Sequence, residues 1–386
     1  MINIVFITRS LNYGGATTQL VNLVKGLDRE KFNPTVLTFY SGPLEKDLRE
    51  ANARIIPMEK KGRWHMFGFL IKLYRLVKEQ NPDVIHGYLT FPNILTVMLK
   101  PFFPKARTVY GVRASNMDLS RYDWLARLID SVESRLSRFT DLIIANSKAG
   151  FKYALKQGFP EAKMIVIPNG IDTEHFKPDY IAGQKIRNEW GVREDEFLIG
   201  LVGKLDPMKD HPTFIKAAAL FSKEKQRENV RFVCVGGGRD SYRDKLIAMG
   251  KELGLSNRIL WINPRSDMPA VFNAFDIATS SSSFGEGFPN VVGEAMACKI
   301  PCVVTDVGDS PWVVGKTGIV VPPENPEALA AGWAECMAKD KDEAAQEARF
   351  RIENNFSLRH LFQRTEQALT MNGKTPNNDP LLETID

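Results

Sequence analysis

Short runs of apolar, mostly β-branched residues alternate along the chain with longer stretches in which apolar positions recur every three or four residues. In the first half the runs are INIVFIT (2–8), PTVLTF (34–39), ARII (53–56), DVIHGY (83–88), RTVYGV (107–112), DLIIAN (141–146) and MIVIPN (164–169), with helical patterns at 15–27, 64–79 and 121–139. The pattern then restarts with FLIGLVG (197–203), VRFVCVG (230–236), RILWIN (258–263), DIATSS (276–281) and PCVVTDVG (301–308). Helical stretches at 211–225, 240–253, 267–274, 289–298 and 325–338 separate these strands. Apolar strands alternating with amphipathic helices are the signature of an open parallel sheet covered on both faces. The reading is therefore α/β, with two doubly wound, Rossmann-like domains of similar size facing across a cleft. The polar segment 172–196, with Pro178, Gly183 and Gly191, is read as the hinge. The expected divisions are 1–178, 179–355, a returning helix at 356–372 and a frayed tail at 373–386.

Composition narrows the class. Of 386 residues, 44% are hydrophobic and 25% charged, which excludes a wholly disordered chain. The most apolar stretch, 89–99, contains Pro92 and Asn93 and stops at Lys100, so no bilayer span is expected. Met1 leads directly into a strand pattern and not into a signal peptide, which predicts a cytoplasmic location. Cys234, Cys298, Cys302 and Cys336 read as buried thiols, because no further Cys or His clusters beside them to hold a metal. Charge is uneven: residues 1–180 hold 26 Lys+Arg and 17 Asp+Glu, a net +9, while the remainder nets −4. A basic first half calls for an anionic surface or ligand. The cations are dispersed and no nucleic-acid-binding signature is present, so nucleic acid is not an expected partner.

Function should sit in loops that follow strands. Gly14 and Gly15 stand between the first strand and its helix, where backbone can approach a ligand; a plain structural turn reads equally well. Lys204 and Lys209 follow the strand that ends at Gly203, just before a helix with Pro212 in its first turn. Two ammonium groups beside a helix start form a seat for a diphosphate. In SSSFGEGFPNVVGEAMAC, Glu286 and Glu294 are separated by seven residues across a Gly/Pro turn and a helix start. Their carboxylates can accept hydrogen bonds from vicinal hydroxyls, and the turn attracts an anion. Together these features read as a site for a sugar attached to a phosphate. A glycosidase acid/base pair fits less well, since it leaves the lysine seat without a role.

The segment GEGFPNVVGEAMACKIPCVVTDVGDS resembles the E-x7-E region of family 4 retaining glycosyltransferases. VGKLDPMKDH resembles their basic phosphate motif, and VIPNGIDTEHF their interdomain segment. GVRASNMDLSRYDW and DLIIANSKAG are similar to bacterial members that build lipopolysaccharide, capsule or exopolysaccharide. The resemblance implies a GT-B fold, with the acceptor in the N-terminal domain and a nucleoside-diphosphate sugar, UDP- or GDP-linked, in the C-terminal one. It implies that Glu294 binds the ribose hydroxyls, Glu286 the sugar hydroxyls, and Lys204 and Lys209 the diphosphate. It adds Gly15, Gly287, Phe288, Pro289, Asn290 and Val291 to the donor site, places the base near 263–268, and gives Gly14, Asn93 and Arg113 to the acceptor. Three departures stand out. Lys204 replaces a usual Arg, Lys299 a common Gly, and Phe91 occupies the place of a second His, leaving His86 as the remaining histidine candidate.

The implied reaction is sugar transfer with retention, metal-independent because the lysines supply positive charge, with same-face attack assisted by the departing phosphate. No cofactor is implied beyond the donor co-substrate. The basic N-terminal half, with aromatics in KPFFPKAR and SRYDW, suits a saccharide or lipid-linked acceptor at an anionic membrane face. A nucleotide-sugar-binding module without activity and a GT-B epimerase remain as alternatives.

Overall fold

The computed structural model describes residues 1–59, 66–113, 124–223, 227–339 and 341–370. The chain divides into two compact units, one of Met1–Gly170 together with the chain from Leu358, the other of Ile171–Ser357.

The first unit is built on a parallel sheet of seven strands, β1 (Ile2–Ser10), β2 (Phe32–Tyr40), β3 (Arg54–Pro57), β4 (Val84–Tyr88), β5 (Arg107–Val112), β6 (Leu142–Ala145) and β7 (Met164–Val166). Their order is β3-β2-β1-β4-β5-β6-β7. The helices between them are α1 (Gly15–Gly26), α2 (Glu45–Glu50), α3 (Met66–Glu79), α4 (Thr90–Leu99), α5 (Trp124–Ser137) and α6 (Lys148–Lys156). The unbroken apolar run of β1 is explained by its central place: Ile4, Val5, Phe6 and Ile7 are all fully buried. Ile4 and Phe6 face a core shared with Leu20 and Val24 of α1, while Val5 and Ile7 face one with Phe69 and Leu73 of α3. Strand order reverses between β1 and β4, so the loops after these strands diverge and open a crevice at their carboxyl ends.

The second unit repeats the plan with α7 (Tyr180–Glu189), β8 (Phe197–Val202), α8 (His211–Ser222), β9 (Val230–Val235), α9 (Asp240–Glu252), β10 (Ile259–Ile262), α10 (Met268–Asn273) and β11 (Ile277–Ser280). It continues with α11 (Asn290–Ala297), β12 (Cys302–Thr305), α12 (Ser310–Val314), β13 (Ile319–Val321), α13 (Pro326–Ala338) and α14 (Lys341–Asn355). The parallel order is β10-β9-β8-β11-β12-β13, with the reversal between β8 and β11. Trp333 of α13 is fully buried among Phe214, Phe221 and Phe232, and its indole N–H donates to Thr279 Oγ1 at 3.0 Å. The last helix, α15 (Leu358–Thr370), lies in the first unit. Phe362 presses onto α1 at Gly26, where an added Cβ would come within 2.0 Å of the ring, and Glu366 accepts from the Asp28 amide at 2.8 Å.

The segment 172–196, read from sequence as a hinge, contains α7 and is fastened into the second unit. Asp179 caps the helix by accepting from the Ala182 amide, and buried Arg187 donates to Ala274 O and Asp276 Oδ2. Gly183, one of the residues that suggested a linker, instead lets α7 lie against α10: a Cβ there would stand 2.2 Å from Asn273 O. All four cysteines are buried free thiols. Among the described residues no helix is long and apolar enough to cross a membrane. Most of SRYDW and the tail 373–386 lie outside the described residues.

Candidate functional site

In the second unit the chain leaves β8 through Gly203 and exposed Lys204, then makes a 3-10 turn over Pro207–Lys209. Asp206 caps that turn by accepting from the Met208 amide, and Asp210 caps α8 by accepting from the Thr213 amide. The loop after β11 is sewn onto this turn: the Ser283 amide donates to Met208 O at 3.0 Å, and Ser281 Oγ to Lys209 O at 2.8 Å. These contacts bring residues more than 70 positions apart to one place. Lys209 Nζ donates to Glu286 Oε1 at 2.5 Å, and Ser282 Oγ reaches the same oxygen at 2.6 Å. Burial pushes the Glu286 carboxyl up, but the Lys209 charge and the hydrogen bonds from Lys209 and Ser282 prevail and hold it below the usual carboxylate range. Glu286 is thus a buried carboxylate engaged by a lysine and a serine.

After Glu286 the chain turns through Gly287 into α11. Gly287 O is pinned by the Asp309 amide at 3.0 Å. Phe288 is buried against Phe356, so at this position only backbone is available to a ligand. Pro289 is the residue before α11, and no side chain caps the helix. Asn290 and Val291 open the helix and are half-buried. One turn later Glu294 is half-buried, with no hydrogen-bond or ion-pair partner for its carboxyl among the described residues, and burial pushes its pKa up to about 7. It is an acceptor pair without donors, within α11. An acceptor pair of this kind can take hydrogen bonds from hydroxyl donors such as a vicinal diol.

His211, which follows this turn, is fully buried; burial, with Lys209 nearby, pushes it down to about 4. At 263–268, Asn263 accepts from Arg243, and Arg265 is paired with Glu189 and Asp267.

In the first unit, Gly14 and Gly15 begin α1 directly after β1, and no side chain caps that helix. The neighbouring strand β4 carries His86 and Tyr88. Arg113, at the end of β5, donates from Nη2 to Tyr88 Oη at 2.9 Å, and its guanidinium lies 4.4 Å from the Tyr88 ring centroid. Leu89 follows with φ of +73°, an uncommon conformation for a branched residue and a sign of local strain at this strand end.

Two expectations need correction here. His86 is fully buried, with its ring against Phe6 and Tyr88 and both nitrogens unpartnered; burial and the Arg113 charge hold its pKa well below the ordinary value. No ligand can touch it in this arrangement. Asn93 is also fully buried. Its amide donates to Gly111 O and to Glu133 Oε1 at 2.7 Å, and its carbonyl accepts from the Gly111 amide, so its polar atoms already serve β5 and α5. Phe91, at the position where a second His was sought, packs edge-on against Phe39. Sequence reasoning missed Ser282, whose only signal was its place in the serine run before GEG, and it missed Glu133, which no motif marks.

A family model described as glycosyl transferases group 1 matches residues 183–353, and one described as glycosyltransferase family 4 matches 13–175. The chain is 34% identical over 279 residues to a D-inositol 3-phosphate glycosyltransferase of Corynebacterium glutamicum, covering 68% of this chain and 65% of that one. It is 24% identical over 314 residues to the Escherichia coli UDP-Gal:alpha-D-GlcNAc-diphosphoundecaprenol alpha-1,3-galactosyltransferase, covering 78% and 81%. Among solved structures, Anabaena HepE in complex with UDP superposes with a TM-score of 0.83 at 23% identity, covering 95% of this chain and 99% of that one.

Proposed function

The chain belongs to the family 4 glycosyltransferases of GT-B fold, and on that footing we propose that it transfers a sugar, with retention, from a nucleoside-diphosphate sugar to a hydroxyl of a saccharide or lipid-linked saccharide. The observation that carries this reading is the side-chain set at the carboxyl end of the second unit's sheet. The Lys209–Glu286 pair is fixed, Lys204 is exposed, and the Glu294 carboxyl has no partner among the described residues.

In this reading Glu294 accepts from the ribose diol. The backbone from Gly287 to Val291 approaches the sugar and phosphates, and Glu286 orients the sugar hydroxyls while keeping Lys209 in place. Lys204 and Lys209 stabilise negative charge on the departing diphosphate. That charge makes a metal unnecessary. Uridine is favoured as the base by the HepE complexes with UDP and with UDP-glucose. The first unit takes the acceptor, with Gly14 and Arg113 near it, and the division of labour follows the two units in the chain. The product belongs to bacterial surface polysaccharide, in keeping with the diphosphoundecaprenol-linked substrate named for the E. coli relative.

Peripheral attachment to the inner face of the membrane is supported by one outer face of the first unit. Phe67 (86% exposed) and Ile71 of α3 stand with Phe102 (64% exposed) outside the core, and Arg75, Lys78 and Lys105 are exposed around them. Exposed aromatics ringed by cations suit anionic lipid.

The decisive experiment incubates the protein with UDP- and GDP-sugars, with and without lipid-linked acceptors, in EDTA. The expected result is acceptor-dependent nucleotide release and a product whose anomeric configuration by NMR matches the donor. Binding without release would point to an inactive module, and an isomerised sugar formed without acceptor would point to an epimerase.

A further inference from the structure

The loops after β8 and β9 border a solvent-open pocket of about 690 Å³ whose wall includes Lys204, Asp206, Arg239, Ser241, Tyr242 and Lys245. None of Lys209, Glu286 and Glu294 lines it. The two loops are joined beyond the ends of their strands: the Leu205 amide donates to Gly237 O at 2.8 Å, and Leu205 bridges to Gly238 in parallel register. The glycine run makes this closeness feasible. A Cβ at Gly238 would stand 2.5 Å from Leu205 Cβ, and one at Gly237 would stand 2.8 Å from Pro264 Cγ. Arg239 is therefore held on a fixed loop that is tied to the residue after Lys204, and Lys245 lines the same space from α9.

Lys204, Arg239 and Lys245 are exposed and have no hydrogen-bond or ion-pair partner among the described residues. The carboxylate on the wall, Asp206, has Oδ1 occupied by the Met208 amide at 3.1 Å. Three unpaired cations against one carboxylate, with a serine hydroxyl and an uncapped helix start alongside, form a polyanion seat. A structural role would pair these cations with carboxylates; none of them is so paired.

We propose that this cavity is a phosphate-binding pocket in which Arg239 and Lys245 hold an anionic group, with Lys204 at its edge. Only the role of Lys204 rests on the donor reading above. The phosphate can belong to the donor's own diphosphate or to a separate phosphorylated molecule, and the chemistry of the seat is the same for both.

The test uses inorganic pyrophosphate as the probe, titrated calorimetrically at low salt into the full-length protein, R239Q/K245Q and Glu294→Gln. The double variant is expected to weaken pyrophosphate binding by about tenfold or more, while Glu294→Gln leaves it unchanged. Pyrophosphate affinity in R239Q/K245Q equal to that of the unaltered protein, or no uptake by the unaltered protein at millimolar concentration, overturns the proposal. A second arm repeats the titration with the protein saturated by UDP. Competition assigns the pocket to the donor's diphosphate, and independent binding assigns it to a second phosphorylated ligand. Should neither UDP nor GDP bind, the donor reading falls, while the first arm still decides the pocket. Both substituted side chains are exposed, so unchanged thermal midpoints are expected and serve as the folding control.

Discussion

At the carboxyl end of β8 and β11 the second unit leaves Lys204 exposed and Glu294 without a partner among the described residues, whereas at the carboxyl end of β4 the first unit turns His86 and Asn93 fully inward. Both sheets reverse strand order at this place, and both carry polar residues there. The difference lies in where the hydrogen bonds go. Asn93 gives its amide and carbonyl to Gly111 and Glu133 and so serves the fold. Glu294 has nothing of the kind among the described residues. A polar residue in a strand-end motif is therefore functional or structural according to its partners, and residue type alone does not decide.

The largest expected effect tests the one buried charge pair in this comparison. Lys209→Met removes the cation from Glu286 and leaves a buried carboxylate. Breaking such a pair costs about 3–5 kcal/mol, read as a lower urea midpoint, and loss of charge at the diphosphate lowers sugar transfer by about 100-fold or more. The double variant K209M/E286Q should recover much of the stability and none of the activity. An unchanged midpoint in Lys209→Met would mean that the pair does not hold the loop.

Asn93→Ala should behave oppositely. It strips donors from Glu133 and Gly111 inside the first unit, at a cost of about 2–3 kcal/mol, with donor KM unchanged. If it raised the acceptor KM and left stability intact, Asn93 would return to the acceptor site and the contrast between the two sheets would fail.

The strand and helix pattern was readable because central parallel strands are apolar on both faces and surface helices on one. FLIGLVG and INIVFIT announce β8 and β1 for that reason. Helix α7 escaped because Pro178, Gly183 and Gly191 mimic a linker, while Gly183 is present for its close approach to α10. Lys204, Lys209, Glu286 and Glu294 could be named as candidates because loop chemistry there is local in sequence, within two short motifs. The pairing of Lys209 with Glu286 was not readable, since it depends on how the β8 and β11 loops are stitched through Ser281 and Ser283. The burial of His86 was equally hidden: an HGY triplet at the end of a strand does not say which face the imidazole takes. Lys299, standing where relatives of this motif often carry Gly, holds φ of +63° just after α11, a position that glycine suits.

A smaller effect is expected at Glu294, where binding and stability should move in opposite directions. Burial raises both the Glu294 and the Glu133 carboxyl to about 7, above their value in an unfolded chain. Over this window the folded protein binds more protons than the unfolded one. Their contribution to stability therefore falls as pH rises from about 4.5 to about 7 and is level beyond. Glu294→Gln removes one of these two terms. Its stability should match the unaltered protein at pH 4 and exceed it at pH 8 in chemical denaturation. Donor binding should weaken by about 10- to 100-fold, the worth of a charged hydrogen-bond pair of 1.5–3 kcal/mol. Unchanged donor affinity in calorimetry would remove Glu294 from the ribose site.

The smallest effect belongs to His86→Leu. The imidazole is fully buried, its two nitrogens lack partners, and burial together with the Arg113 charge keeps it neutral. A leucine is close in volume and brings no polar atoms, so stability near pH 7 should change by no more than about 1.5 kcal/mol in either direction. Because the folded pKa is depressed, the unaltered protein loses stability as pH falls below the ordinary histidine value of about 6.5, where the unfolded chain takes up a proton that the folded one refuses. His86→Leu lacks that loss, so its advantage should grow toward pH 5. Turnover and its pH profile should stay within about threefold of the unaltered protein, less than the 100-fold a proton-transferring group supplies at the low end. A 100-fold fall in kcat with an intact fold would instead put a moving imidazole at the acceptor, and the first sheet would then present chemistry as openly as the second.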